Sequence, residues 1–286
     1  MGSLNTVCLV CGSGETRRVG KAVSPPKPEI SYTYFSCDTC GSRFFDPKEH
    51  DVDIKEENEK FSMGEHHVHS EFKPNPYWAR EVASITALKG GPVSSVLDCG
   101  CRTGDFLMHW PAQIQRTGVE IVPQVAEIAR RRGLDVINEP LEQSSLDAKY
   151  DVVTCYAILE HLHAPEKVLD ALCQSVDEKG ILVIMIPSFQ TWKARLLGLV
   201  GRQWHQLYPP FHLCFFSNEY LSEYLQARCF HLERRVYTSG GMFNPFAKIP
   251  LLGKVWAKMM SLVDAHSPTR FLPIFDHMYL YYRKVS

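Results

Sequence analysis

What the sequence lacks narrows it first. An excess of charge of one sign is missing: 31 Lys and Arg stand against 32 Asp and Glu, a formal net charge of -1. That balance gives no electrostatic footprint for a polyanion and counts against a nucleic-acid partner. Long hydrophobic runs are missing too. No stretch of about eighteen uncharged apolar residues occurs, so no transmembrane helix is expected. The first residues, MGSLNTVCLVCGSG, have neither the basic segment nor the apolar run of a secretory leader. A cytoplasmic location is the expectation, and thiols stay reduced there, so the ten cysteines read as metal ligands or core residues before disulfides. The remaining composition, 45% hydrophobic and 22% charged over 286 residues, suits one large globular domain with a small appendage.

What is present begins with two C-x-x-C pairs, Cys8-Leu-Val-Cys11 and Cys37-Asp-Thr-Cys40. Each pair can place two sulfurs on one ion, and Gly12 and Gly41 directly follow to permit the tight turn. Tyr32 to Phe35 reads as a strand leading into the second pair, the layout of a zinc ribbon. Two disulfides or four buried thiols are the competing reading. Four thiolates would leave no open position for water, so such a zinc would be structural and would supply much of the stability of a module spanning 1–50. Loss of one cysteine is then expected to unfold the module and leave the larger core folded. Residues 51–92 read as a linker and cap helix: a polar stretch over 51–60, then Glu65, His66, His67 and His69, whose close spacing fits a surface segment better than a second metal site. Tyr77, Trp78, Val82, Ile85 and Leu88 have helical period, and Gly90-Gly91-Pro92 ends the helix.

From residue 93 short apolar strands alternate with helices, which predicts an α/β domain with a parallel sheet covered on both faces. Strands are expected at Ser95 to Asp98, Thr117 to Glu120, Leu134 to Ile137, Tyr150 to Tyr156 and Ile181 to Ile186, with a closing pair at Leu232 to Tyr237 and Met278 to Arg283. Helices are expected from Asp105, through Val125, Ile128 and Ala129, and over Pro165 to Val176, the last closed by Gly180. Open α/β sheets bind ligands at the carboxyl ends of their strands. There the first strand runs into Asp-Cys-Gly-Cys-Arg-Thr-Gly, without the strict dinucleotide spacing G-x-G-x-x-G, and the second ends on the acid Glu120.

Val96-Leu-Asp-Cys-Gly-Cys-Arg-Thr-Gly104, Gly118-Val-Glu-Ile121, Leu141-Glu-Gln143, Asp151 to Leu162 and Gly180 to Pro187 stand in order and at the right intervals. In this the chain resembles the class I S-adenosylmethionine-dependent methyltransferases. Within them it is similar to the subgroup of ubiquinone O-methyltransferases and sugar and natural-product methyltransferases. The resemblance implies a Rossmann-like seven-stranded sheet over 93–286, with lid or insert segments at about 188–230 and 241–274. It implies S-adenosylmethionine as cofactor, with Asp98, Gly100 and Gly104 shaping its loop, Asp98 serving its amino group, Glu120 and Ile121 at its ribose, and Leu141 and Glu142 beside its adenine. Tyr156 would line the methyl-transfer face. The departure is Arg102, where the family has glycine.

Methyl transfer to a hydroxyl needs an aligned acceptor and a route for its proton. Candidate bases are His161, His163, His205 and His212. His212, on the Tyr-Pro-Pro-Phe turn after the fifth strand of the domain, is the first choice and His161 the second; in some related O-methyltransferases the Leu-Glu-His-Leu segment helps hold a divalent metal. Residues 249–263 have helical apolar period with Lys248, Lys254 and Lys258 alongside, which fits a helix packed over the site or one lying on a membrane surface. The expected activity is methylation, foremost at oxygen, of a small-molecule acceptor such as a sugar or phenol. An RNA base methyltransferase and a non-catalytic S-adenosylmethionine-binding protein are the alternatives, and the oligomeric state is left open.

Overall fold

The structure is a computed structural model, and it describes residues 6–24, 27–46, 71–144, 146, 148–238 and 276–285. The polar stretch 51–60, the cluster Glu65, His66, His67 and His69, the segment 249–263 and the insert 241–274 lie outside the described residues.

The alternating apolar segments assemble as one seven-stranded sheet. In chain order its strands are β4 (Ser95–Cys99), β5 (Gln115–Val119), β6 (Asp135–Ile137), β7 (Tyr150–Tyr156), β8 (Val176–Pro187), β10 (Phe230–Thr238) and β11 (His277–Lys284). Their spatial order is β10-β11-β8-β7-β4-β5-β6, with β11 antiparallel to both neighbours and the remaining neighbouring pairs parallel. The order reverses at β4, between β5 and β7, and that is where such a sheet opens a crevice for ligands. Helices α1 (Pro76–Lys89), α2 (Pro123–Arg131), α3 (Pro165–Ser175), α4 (Trp192–Leu199) and α5 (Asn218–Gln226) flank it. Helix α1 is capped at both ends, at the C-terminal one by the expected Gly90. Asn75 accepts from the Tyr77 amide, and Gly90 takes a left-handed conformation at φ 69°. Ser217 caps α5 by accepting from the Tyr220 amide at 3.0 Å.

Two expected helix boundaries differ. The helix expected from Asp105 is a single 3-10 turn, Leu107–His109, because Pro111 holds Trp110 extended at ψ 150° and stops the chain from winding further. Gly180 does not close a helix: α3 already ends at Ser175 and β8 starts at Val176. Gly180 lies in a bulge of that strand, where a Cβ would come within 2.8 Å of the Asp177 carbonyl.

The N-terminal residues form a second, antiparallel sheet from β1 (Thr16–Val23), β2 (Ser31–Cys37) and β3 (Arg43–Phe45). A fourth strand, β9 (Cys214–Phe215), joins it from the far side of the chain, pairing Arg43 with Phe215 and Phe44 with Cys214. Cys8, Val10, Phe35, Cys37, Cys40 and Phe44 share one apolar cluster with Leu97, Val153, Ile184, Phe216 and Leu221 of the large sheet and its helices. The appendage is therefore packed into the main core. No helix among the described residues is long and apolar enough to cross a membrane.

Candidate active site

The loop after β4 is built for close approach. Gly100 and Gly104 sit at φ 82° and 80°, and a Cβ on either would stand 2.3 Å from Ile158 and 2.1 Å from Leu134. Arg102 takes the left-handed region as well, at φ 52°, a backbone path usual for glycine. The Gly100 and Cys101 amides both donate to the Val119 carbonyl, which ties the loop to the end of β5.

Two buried carboxylates face this loop. Asp98 accepts from Thr154 Oγ1 at 2.7 Å, and burial pushes its pKa up to about 7, with the Glu120 charge adding to the rise. Glu120 accepts from the Arg102 amide at 3.0 Å and the Val122 amide at 2.8 Å, and its pKa is also raised by burial. Neither has an ion pair among the described residues. Two acids desolvated side by side are costly on their own and are relieved by a cationic ligand. A carboxylate has about four acceptor positions, so Glu120 retains capacity for a pair of hydroxyls beside its two amides. Next to it Ile121 is 40% exposed, an apolar surface at a strand end.

The remaining cofactor candidates lie at different distances from solvent. Leu141 is buried in the core cluster and Glu142 is half-buried on the turn after Pro140; no helix begins there for Glu142 to cap. Tyr156, at the end of β7, turns toward α1. Its ring meets Trp78 and Phe106 at 5.3 Å each, and its hydroxyl donates to Glu81 Oε1 at 3.1 Å. Glu81 was not among the residues singled out from the sequence. It is buried, accepts from Tyr281 as well, and is held above the usual carboxylate range by burial. A charged residue three positions after Trp78, on the apolar stripe of α1, was the available signal.

Beyond the loop, Glu160, His161 and His212 converge, their ligand atoms all within 4.8 Å of one another. His161 Nδ1–H donates to the Phe211 carbonyl and His212 Nδ1–H to the Gln206 carbonyl, each at 2.8 Å. Those bonds fix the tautomer and leave both Nε2 lone pairs available. The rings lie 4.9 Å apart. Burial, with the His161 charge acting in the same direction, pushes the His212 pKa down to about 3, so the imidazole is neutral. Glu160 is 2% exposed, and its Oε2 has no hydrogen-bond partner among the described residues. The other two candidate bases lie apart: His205 faces Asp276 at 3.5 Å, and His163 starts the approach to α3.

The four N-terminal cysteines also converge. Cys8 Sγ lies 3.8 Å from Cys40 Sγ and Cys11 Sγ 3.6 Å from Cys37 Sγ, so each contact bridges the two pairs. Four sulfurs held tetrahedrally at about 2.3 Å from one ion stand roughly 3.8 Å apart, whereas a disulfide needs about 2.05 Å. The donor set fits a metal. The Cys40 amide donates to Cys37 Sγ at 3.5 Å, as a tight turn around a thiolate does.

The chain is similar to several known proteins. An O-methyltransferase of ubiquinone biosynthesis from Bordetella parapertussis is 32% identical over 151 residues, 47% of this chain and 60% of that protein. A mitochondrial one from Schizosaccharomyces pombe is 34% identical over 115 residues, 36% of this chain and 41% of that protein. This chain thus spans no more than 60% of the length of those two relatives. The fold is shared with the N-methyltransferase NodS from Bradyrhizobium japonicum, solved with S-adenosyl-L-homocysteine: TM-score 0.51 at 15% identity, over 82% of this chain and 100% of that one. The methyltransferase-domain family model matches residues 66–233, from ahead of α1 to within β10. With the glycine loop, the acid at the end of β5 and the seven-stranded order all inside that match or continuous with it, the chain belongs to the methyltransferase-domain family.

Proposed function

We propose that this protein transfers the methyl group of S-adenosylmethionine to a hydroxyl of a small-molecule acceptor. The observation that carries it is the pair of buried carboxylates, Asp98 and Glu120, hydrogen-bonded but without an ion pair among the described residues, on either side of a loop whose Gly100 and Gly104 take left-handed backbone angles. S-adenosylmethionine brings an ammonium for Asp98, a ribose diol for Glu120 and an electrophilic sulfonium methyl. That cofactor carries the hard chemistry of transfer when bound. Ile121 then lies with Glu120 at its ribose, Leu141 and Glu142 flank its adenine side, and α1 with Tyr156 closes the methionine side against water.

The acceptor's proton is handled at Glu160, His161 and His212. His212 presents a fixed, neutral Nε2 toward the cluster, the form in which an imidazole accepts a proton or binds a metal. Its low basicity makes it a weak base alone, and the unpartnered Glu160 oxygen beside two Nε2 lone pairs fits a divalent cation. A cation there would lower the pKa of an acceptor hydroxyl. The four-cysteine centre we read as structural zinc, on the sulfur spacing above.

Calorimetry with S-adenosylmethionine and mass spectrometry of methylated acceptors test the reading. Glu120→Ala removes charge-assisted hydrogen bonds to the ribose and is expected to weaken cofactor binding more than tenfold. His212→Asn is expected to keep cofactor affinity near wild type and lower kcat by about 10²–10⁴-fold. Wild-type cofactor affinity in the first variant, or an unchanged rate in the second, overturns the assignment of that residue.

A further inference from the structure

Two clusters of ligating side chains, far apart in sequence, are joined by one short strand. The Cys37 to Ser42 turn is closed by the Gly41 amide on the Cys37 carbonyl and the Cys37 amide on the Ser42 carbonyl, both at 2.9 Å. It runs without a break into β3, and β3 pairs with β9. The Phe45 amide donates to the Leu213 carbonyl at 2.9 Å, and the Ser217 amide donates to Ser42 Oγ at 3.0 Å, so β9 is gripped at both ends. On its other side the Leu213 amide donates to the Glu160 carbonyl at 2.6 Å, and Cys214 Sγ donates to the Leu159 carbonyl. His212 directly precedes Leu213. Its ring lies 6.2 Å from that of Phe215, which in turn lies 6.3 Å from Phe45 of β3. Apart from Gly41, every one of these residues is buried or half-buried.

We propose that the four-cysteine centre is a positioning element of the catalytic site: metal on Cys8, Cys11, Cys37 and Cys40 fixes the turn that carries β3, and β3 holds β9 so that His212 meets Glu160 and His161. This rests on the reading of those three residues as the catalytic cluster. The physical reason is spatial tolerance. A catalytic constellation loses its effect when displaced by about 1 Å, and β9 is two residues long, too short to hold a register unless a neighbouring strand imposes it. A module docked for stability alone would have no need to contribute a ladder to the segment that carries His212. The cofactor loop, by contrast, hangs from β4 and β5, which pair only within the large sheet. Metal loss is therefore expected to disturb His212 and spare cofactor binding.

The test uses the full-length chain labelled with 15N-histidine, the His212 ring signals being assigned from His212→Asn and His231, on exposed β10 surface, serving as reference. Two variants cut the linkage at different points. Cys11→Ser removes a metal ligand; Phe45→Leu keeps all four cysteines and changes the ring that backs Phe215. Expected in both are shifted or broadened His212 ring signals, an unmoved His231, Mn2+ binding at the Glu160 cluster weakened more than tenfold, and S-adenosylmethionine affinity within twofold of wild type. Elemental analysis should show zinc lost from the first variant and retained in the second, and a Cys11→Ser sample that retains zinc counts against the centre as drawn. Unmoved His212 signals in zinc-free, folded Cys11→Ser overturn the proposal. If Cys11→Ser does not fold, unmoved signals in Phe45→Leu do so alone. Should wild type bind no Mn2+, the metal reading of the catalytic cluster fails, and the ring signals still decide whether the linkage exists.

Discussion

Asp98 shows what burial does to a carboxyl without an ion-pair partner among the described residues. Its carboxyl has a pKa pushed up to about 7, against about 3.9 for an exposed aspartate. Between those two pH values the folded state holds a proton that the unfolded state has released. Stability therefore falls as pH rises from about 4 to about 7, by at most about 4 kcal/mol. Asp98→Asn keeps an acceptor for Thr154 and removes the ionisation. It is expected to raise the thermal midpoint of the cofactor-free protein at pH 8, to flatten the pH dependence, and to weaken S-adenosylmethionine binding. Thermal scans across pH check this, and a variant with the wild-type slope would mean that Asp98 is not the group responsible. At this scale the sequence was informative wherever a residue type served one purpose. Asp98, Glu120 and the two loop glycines were singled out by resemblance and the four cysteines by spacing, and the structure brings the members of each set together. Glu160 entered only as part of the Leu-Glu-His-Leu segment, because a glutamate beside a histidine looks the same whether its carboxylate is exposed or, as here, buried with one oxygen lacking a partner among the described residues.

At the scale of elements, periodicity located all seven strands of the large sheet, and helical period with the Gly90-Gly91-Pro92 stop located α1. It failed at the loop after β4, where a helix was expected and a proline cut it to one turn. Periodicity gave no signal for β9, since a strand of two residues carries none and exists only through its partner. Helix α1 has a feature that period alone does not explain. Its Trp78 stripe carries Glu81, which accepts from Tyr281 at 2.9 Å on both oxygens and from Tyr156 at 3.1 Å, while Tyr77 donates to Tyr279 at 2.6 Å. These bonds pin α1 over the end of the sheet. Glu81→Ala takes the acceptor from the buried Tyr281 hydroxyl, at about 1–3 kcal/mol, and from the half-buried Tyr156 hydroxyl, at less. We expect hydrogen exchange in α1 to accelerate well before that in β7 or β8. Uniform acceleration throughout the sheet would show that the glutamate supports the whole core and not the helix alone.

For the molecule as a whole, the issue is whether two cores exist or one. Composition and the paired C-x-x-C motifs suggest a module that folds on its own metal beside an independent sheet. The described residues instead put six module side chains, Cys8 and Phe44 among them, in the same cluster as Leu97, Ile184 and Phe216. The second sheet is completed by β9 from the distal part of the chain. Nothing in the spacing of the cysteines reveals this, because the contact depends on where residue 214 lies in space and not on any local pattern. Cooperative unfolding follows shared burial. Removing zinc from the four-cysteine centre is therefore expected to lower one common calorimetric transition, the large sheet included. The loss should reach several kcal/mol, since an apolar cluster that loses one wall also exposes the other. Each kcal/mol corresponds to about 2–4 °C in a protein of this size, so the shift is readily measured. Two resolved transitions, with only the smaller one moved by zinc loss, would establish the module as a separately folding unit.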